Sequence, residues 1–217
     1  VAIADILLNK KPIIDTLKEY TRKYPNAGYG GYYYDWAMSN RTEPYKSWGN
    51  GAAMRISPVG FFASSIEATL NLSKEVTEVT HDHPEGIKGA QATASAIFPA
   101  KRKYSKEEIY EYIQNTYNYD LTFNLDTLRP NYFFDVSCQG TVPVSIKCFI
   151  DSSTFENAIR LAVSMGGDSD TLACITGGIA HAYYGVSKKI SKYVFSKIPH
   201  DLAVIVENFC CKYNCEY

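Results

Sequence analysis

The stretch that decides the fold runs Phe155-Glu156-Asn157-Ala158-Ile159-Arg160-Leu161-Ala162-Val163-Ser164-Met165-Gly166-Gly167-Asp168-Ser169-Asp170-Thr171-Leu172. Phe155, Ala158, Ile159, Ala162 and Val163 fall at i, i+3, i+4, i+7 and i+8, the spacing that lines one buried face of an α-helix. Ser153 with Glu156 reads as a capping box at its start. Gly166 and Gly167 supply the backbone freedom that ends a helix. A second helix opens at once, with Leu172, Ile175, Ile179 and Tyr183 on one face.

The same periodicity extends outward in both directions. Ser105 with Glu108 makes another capping box, opening a helix whose inner face is Ile109, Tyr112, Ile113 and Tyr117. Pro84 suits the first turn of a helix over 85–98, and Pro143 the first turn of another. Further helices are expected over 1–8, 12–23, 61–72 and 202–209. No alternating strand of useful length occurs, so the expected fold is all-α, one domain over 1–217. Residues 24–60 and 119–140 read as two long ordered loops, the usual seats of function on a helical scaffold. Tyr32-Tyr33-Tyr34 points to a partly exposed aromatic surface. Residues 1–8 read like the middle of a buried helix entered without a cap or an initiator Met, which predicts a longer parent chain.

Composition excludes several classes. Lys+Arg against Asp+Glu is 22 against 23, so no basic excess exists to neutralise a nucleic-acid backbone non-specifically. No apolar run is long enough to cross a bilayer, and residues 1–8 lack the basic leader of a signal peptide. Cys138, Cys148 and Cys174 stand alone, while Cys210, Cys211 and Cys215 cluster at the tail without paired zinc spacing. Reduced thiols in a cytoplasmic monomer are the favoured reading; a tail disulfide or weak metal clip is the minority one.

Three segments carry chemistry. Gly166-Gly167-Asp168-Ser169-Asp170-Thr171 places two carboxylates and a hydroxyl at a helix start, hard oxygen donors that suit Mg²⁺ or Mn²⁺. Asp at a helix start is also an ordinary cap, and on spacing alone the two readings stand even. Ser47-Trp48-Gly49-Asn50-Gly51-Ala52-Ala53-Met54-Arg55, followed by Ser57-Pro58, suits backbone approach to a phosphate, although Gly-Asn-Gly by itself favours a plain turn. Thr80-His81-Asp82-His83-Pro84 more often holds a hydrogen-bonded histidine than a metal ligand. His181 reads as structural. Phe134-Asp135-Val136-Ser137-Cys138-Gln139-Gly140 is a polar turn leading into a helix.

Taken together and in order, these segments resemble the ADP-ribosylglycohydrolase family. Residues 166–180, closing with Ala182-Tyr183-Tyr184-Gly185, are similar to its C-terminal metal motif. Ser47-x-Gly-Asn-Gly-x-x-Met-Arg with Ser57-Pro58 resembles its central loop, and Thr80-His81 with Gly86 its third landmark. The resemblance runs from Ile3 to about Gly185. It implies an all-α fold with paired divalent cations, usually Mg²⁺, in a cleft between helices. Asp168, Asp170 and Thr171 match metal ligands, with the two aspartates central to catalysis. Gly49, Asn50 and Gly51 match the loop that holds the diphosphate and distal ribose of ADP-ribose, and His81 a histidine lying against the ligand. The implied reaction is hydrolysis at C1″ of ADP-ribose attached to an acceptor, by a metal-activated water.

One departure from the family pattern stands out. The other ligand set, Thr-Asp-Asp-Thr, occurs nowhere in the 217 residues. The expectation is therefore at most one bound ion and no hydrolysis by this chain as given. The alternative is a non-catalytic module that binds ADP-ribose or a nucleotide.

Overall fold

The structure, a computed structural model, describes residues 1–215. The described residues are all-α: fourteen helices, one 3₁₀ turn, and no pairing of strands beyond an isolated bridge between Gly49 and Ser137. In chain order the helices are α1 (Ala2–Asn9), α2 (Ile13–Lys23), α3 (Gly31–Met38), α4 (Gly51–Met54), α5 (Ser57–Phe62), α6 (Ile66–Glu78) and α7 (Pro84–Lys101). They continue with α8 (Lys106–Tyr117), α9 (Leu125–Leu128, running into the 3₁₀ turn Arg129–Asn131), α10 (Cys138–Ile150), α11 (Phe155–Ser164), α12 (Ser169–Tyr184), α13 (Lys188–Phe195) and α14 (His200–Tyr213). None of the described helices is long and apolar enough to cross a membrane.

α7 is the central rod, packed on α4, α5, α6, α8, α10 and α12. Its composition explains that position. Gly86, Gly89, Ala90, Ala92, Thr93, Ala94, Ser95, Ala96 and Ala100 are all buried, so neighbours crowd it from several sides. A Cβ on Gly60 of α5 would stand 2.6 Å from Cβ of Ile97, and one on Gly89 2.6 Å from Sγ of Cys138 in α10. The buried hydroxyls of Ser95 and Tyr117 hydrogen-bond at 2.8 Å, tying α7 to α8. α1 is buried along Ile3, Ala4, Ile6 and Leu7. Its one carboxylate, Asp5, is satisfied by Lys11, Asn9 and Tyr20.

Several local expectations change. The α11 cap lies one residue later than the sequence pattern predicts. Thr154 accepts from the Asn157 N–H, and Asn157 Oδ1 accepts from the Ser153 N–H, a reciprocal arrangement that uses an amide where Glu156 was expected. Glu156 instead pairs with Arg160. Val163 is 52% exposed, because the buried face of α11 runs through Ala158 and Ala162 and then to Met165. Pro143 sits inside α10, not in its first turn, because Ser137 caps that helix at the Gly140 N–H. The helix expected over 61–72 is broken at residues 63–65, where Ser65 caps α6. Both long loops contain short helices, α3 to α5 in the first and α9 in the second, and α13 was not anticipated. The Ser105–Glu108 capping box is present in both directions. Gly166 and Gly167 adopt positive φ, 74° and 60°, as a helix end requires.

The tight α5–α7 crossing yields a test. Gly60→Ala drives its methyl into Ile97 and against the Ala94 carbonyl, and overpacking of this kind costs about 1–3 kcal/mol. Urea denaturation of the variant is expected to show a lower midpoint with an unchanged slope.

Candidate functional site

The three chemically loaded segments meet at the N-terminal end of α12. Asp168 is the N-cap residue of that helix, Asp170 lies in its first turn, and Thr171 is buried just behind. Asn50, itself buried, reaches across 118 positions of sequence. Its Nδ2 donates to Asp168 Oδ2 at 2.7 Å and to Thr141 Oγ1 at 3.1 Å. Asp168 caps no backbone N–H with its side chain. The cap reading therefore does not account for it, and its carboxylate is aimed at the 47–51 loop.

That loop is held from outside by residues 136–138. The Asn50 N–H donates to the Val136 carbonyl at 2.7 Å, the Cys138 N–H donates to the Trp48 carbonyl at 2.9 Å, and Cys138 Sγ lies 3.2 Å from the Gly49 carbonyl. The turn supplying these contacts is stiff. Asp135 Oδ1 accepts from the Ser137 N–H, and Thr141 Oγ1 donates to the Asp135 carbonyl. Thr141 carried no mark in the sequence, and residues 135–138 were read there only as part of a polar turn leading into a helix. The only local signal was an Asp two residues before a Ser, an ordinary turn pattern. The Gly49 N–H is likewise taken, by Ser47 Oγ at 3.1 Å. Two of the three N–H groups assigned from sequence to a ligand anion are thus bonded within the protein. Gly51, at the first turn of α4, is the one left facing that task.

His81 lies over the glycines. A Cβ on Gly51 would stand 3.3 Å from His81 Nε2, and one on Gly49 3.7 Å away. On the far side of the ring, Nδ1 is 2.8 Å from Thr80 Oγ1. Arg55 donates to that same oxygen at 2.7 Å and to the carbonyls of Val76 and Thr77. Thr80 Oγ1 thus sits between the Arg55 guanidinium and the imidazole, while Nε2 faces the glycines. Burial, and then the Arg55 charge, push the His81 pKa down to about 3. The ring is held neutral beside the loop. His83 instead caps α7 and stands edge-on to Trp48, and His181 packs on Phe61.

Asp168 is held above the ordinary carboxylate range. Burial is the main cause and the neighbouring Asp170 adds to it, while the Asn50 amide pulls the other way. Two carboxylates and the Thr171 hydroxyl form a hard-oxygen set whose mutual repulsion a divalent cation relieves, so the donor chemistry fits Mg²⁺ or Mn²⁺. Among the described residues no cluster of three or more His, Cys, Asp or Glu could hold a metal.

The sequence model of the ADP-ribosylglycohydrolase family matches residues 9–210. An uncharacterized protein of Archaeoglobus fulgidus is 29% identical over 154 residues, covering 61% of this chain and 48% of that protein. ADP-ribosylarginine hydrolase Tri1 of Pseudomonas putida is 26% identical over 145 residues (64% of this chain, 39% of its own length). ADP-ribosylhydrolase ARH3 of Mus musculus is 24% identical over 187 residues (65% and 50%). The chain thus spans half the length of these relatives or less. A solved structure described as an ADP-ribosylglycohydrolase-related protein complex superposes on all of this chain and 79% of its own, with TM-score 0.72 and 22% identity, a likeness of fold.

The buried imidazole ties stability to pH. The unfolded chain takes up a proton on His81 near pH 6.5, and the folded chain not until about 3. Its contribution is therefore complete above about pH 6.5 and is lost progressively as pH falls toward 3. Between pH 7 and pH 4.5 the urea midpoint of the native protein is expected to fall more than that of His81→Gln, whose amide does not titrate. Equal falls would show that His81 is not held neutral.

Proposed function

The chain belongs to the ADP-ribosylglycohydrolase family, and we propose that its site binds ADP-ribose and forms the C-terminal half of a centre that hydrolyses the bond at C1″ of ADP-ribose on an acceptor. The observation that carries this reading is the Asn50–Asp168 hydrogen bond, which joins the ligand loop to the carboxylates at 2.7 Å. The diphosphate is placed against Gly51, where the backbone has no side chain to keep an anion away and Nε2 of the neutral His81 ring stands alongside. Asp168, Asp170 and Thr171 are the residues that would hold Mg²⁺. A cation bound there supplies positive charge to fix ribose hydroxyls and acidify a water. Asn50 keeps one Asp168 oxygen occupied.

The ligand count shapes the expected activity. Three protein oxygens hold Mg²⁺ poorly, because the ion keeps its waters tightly and needs further oxygens from substrate or protein. As given, the chain binds a single ion weakly and releases no ADP-ribose. The same count favours a second reading, a module that binds ADP-ribose without cleaving it. Release of ADP-ribose from a modified peptide separates the two. A form extended at its N-terminus by a Thr-Asp-Asp-Thr segment is expected to turn over with Mg²⁺ and to lose activity on Asp168→Ala or Asp170→Ala. Turnover by the 217-residue chain alone would show that three ligands suffice. Persistent inactivity of the extended form, with ADP-ribose still bound, would favour the binding module.

Placement of the ligand has its own test. Gly51→Val puts a branched side chain between the loop and His81, and calorimetry is expected to show ADP-ribose affinity reduced by about tenfold or more (~1.4 kcal/mol). Thermal melting of the same variant reports separately on the fold.

A further inference from the structure

Outside the site, the chemistry most concentrated in one place lies at the end of α14. The chain leaves that helix through Asn214, whose φ of 51° is left-handed, and doubles back so that the Cys215 N–H donates to the Cys210 carbonyl at 3.0 Å. In helix ends of this kind the residue after the left-handed position returns its side chain to one in the last turn, where two apolar groups usually meet. Here the two side chains are thiols. Cys210 and Cys215 are both buried, 8% and 7% exposed, and the turn brings them close enough for each thiol to act on the other's titration. The neighbouring Cys211 is exposed.

Two neighbours act on the Cys215 thiol. Lys101, at the end of α7, donates to the Tyr213 carbonyl at 2.6 Å and to the Phe61 carbonyl at 2.9 Å, which keeps its ammonium beside the turn. The Cys215 thiol is drawn below its ordinary range by the hydrogen bond from Cys210 and, more weakly, by Lys101, while Cys210 is pushed up as the donor of that bond. A lowered thiol next to a second one is the arrangement that forms and breaks disulfides readily.

We propose that Cys210 and Cys215 are a reversible redox pair, oxidised to an intramolecular disulfide by a small-molecule disulfide and reduced again by thiols. The Cys215 thiolate attacks one sulfur of the oxidant, forming a mixed disulfide and releasing one small thiolate. Cys210, giving up its proton to solvent, then attacks Cys215 Sγ and releases the second. The pair loses two protons and two electrons, and the oxidant is reduced to two thiols. The turn that returns the Cys215 N–H to the Cys210 carbonyl already brings the two residues side by side. The covalent bond would form where α5, α7 and α14 meet, with Phe62 edge-on and Phe209 tilted against Tyr213.

The test uses the full chain and needs no enzymatic activity. The reduced protein is equilibrated over a series of glutathione to glutathione-disulfide ratios, quenched by thiol alkylation, and mapped by trypsin, which cleaves after Lys197 and Lys212. The expected result is a link between peptides 198–212 and 213–217, reversed by excess thiol. The link should persist in Cys211→Ser and be lost in Cys210→Ser and Cys215→Ser, with helical circular dichroism retained in all three. A link that survives Cys210→Ser, or that requires Cys211, overturns the assignment. So does a chain that keeps both thiols at every ratio, or that forms only intermolecular bridges.

Discussion

A single amide holds the site together. Asn50 is a buried side chain with two acceptors for its Nδ2, a carboxylate on α12 and a hydroxyl on α10. Hydrogen bonds to charged groups contribute about 1.5–3 kcal/mol, and losing the donor would leave a half-buried carboxylate beside Asp170 with less to stabilise it. The bond also fixes distance. The loop entering α4 and the first turn of α12 are remote in sequence, and Asn50 sets their separation at one hydrogen bond. Three further features stand around that contact: the turn that clamps the loop, the imidazole above the glycines, and Asp170 in the first turn of α12.

The second tier is Arg55, one turn further along the same segment. Its guanidinium takes carbonyls at the end of α6 and the Thr80 hydroxyl, so the histidine beside that hydroxyl meets a fixed positive charge. A buried imidazole near a buried cation stays neutral, and neutrality gives it one donor and one acceptor instead of two donors. One ring nitrogen is engaged by Thr80, and the other, Nε2, faces the loop where an oxygen-rich ligand is proposed to lie.

How much of this was legible in the sequence depended on the range of the interaction. Helix content followed from local periodicity and caps, and the Ser105–Glu108 capping box was found because both partners lie within one turn. The α11 cap was misplaced by one residue because Ser and Thr are adjacent and equally able to cap, and Asn157 served where Glu156 was expected. The helices inside residues 24–60 were missed because α4 and α5 are too short to show a period and are held by tertiary contacts. The residue types of the Asp168 segment stood even between cap and metal ligand, and those of Gly49, Asn50, Gly51 and His81 favoured a turn and a hydrogen-bonded histidine; the family resemblance marked them as one site, and the structure brings them together. Thr141 and the carbonyl of Val136 carried no such mark. A hydroxyl and a backbone oxygen acquire meaning only from what folds against them.

The family-like motifs also divide, on physical grounds, into residues that face the site and residues that bring it together. Ser57, just after the Asn50 loop, opens α5, and a Cβ on Gly178 of α12 would collide with its hydroxyl. Ile97 of α7 sits at the same crossing, with Cδ1 3.5 Å from that Cβ position and Cβ 2.6 Å from the one on Gly60. Small residues on α5 and α12 therefore let three helices meet around one isoleucine. That packing sets the register of α12 relative to α4 and α5, and register decides whether Asp168 arrives within reach of Asn50. The Ser57-Pro58 and Gly177-Gly178 pairs accordingly belong to helix packing, while Asn50, His81, Asp168, Asp170 and Thr171 are the polar side chains that this packing gathers around the 47–51 loop and the start of α12. A substitution at Gly178 would act on the site through distance, without touching anything bound there.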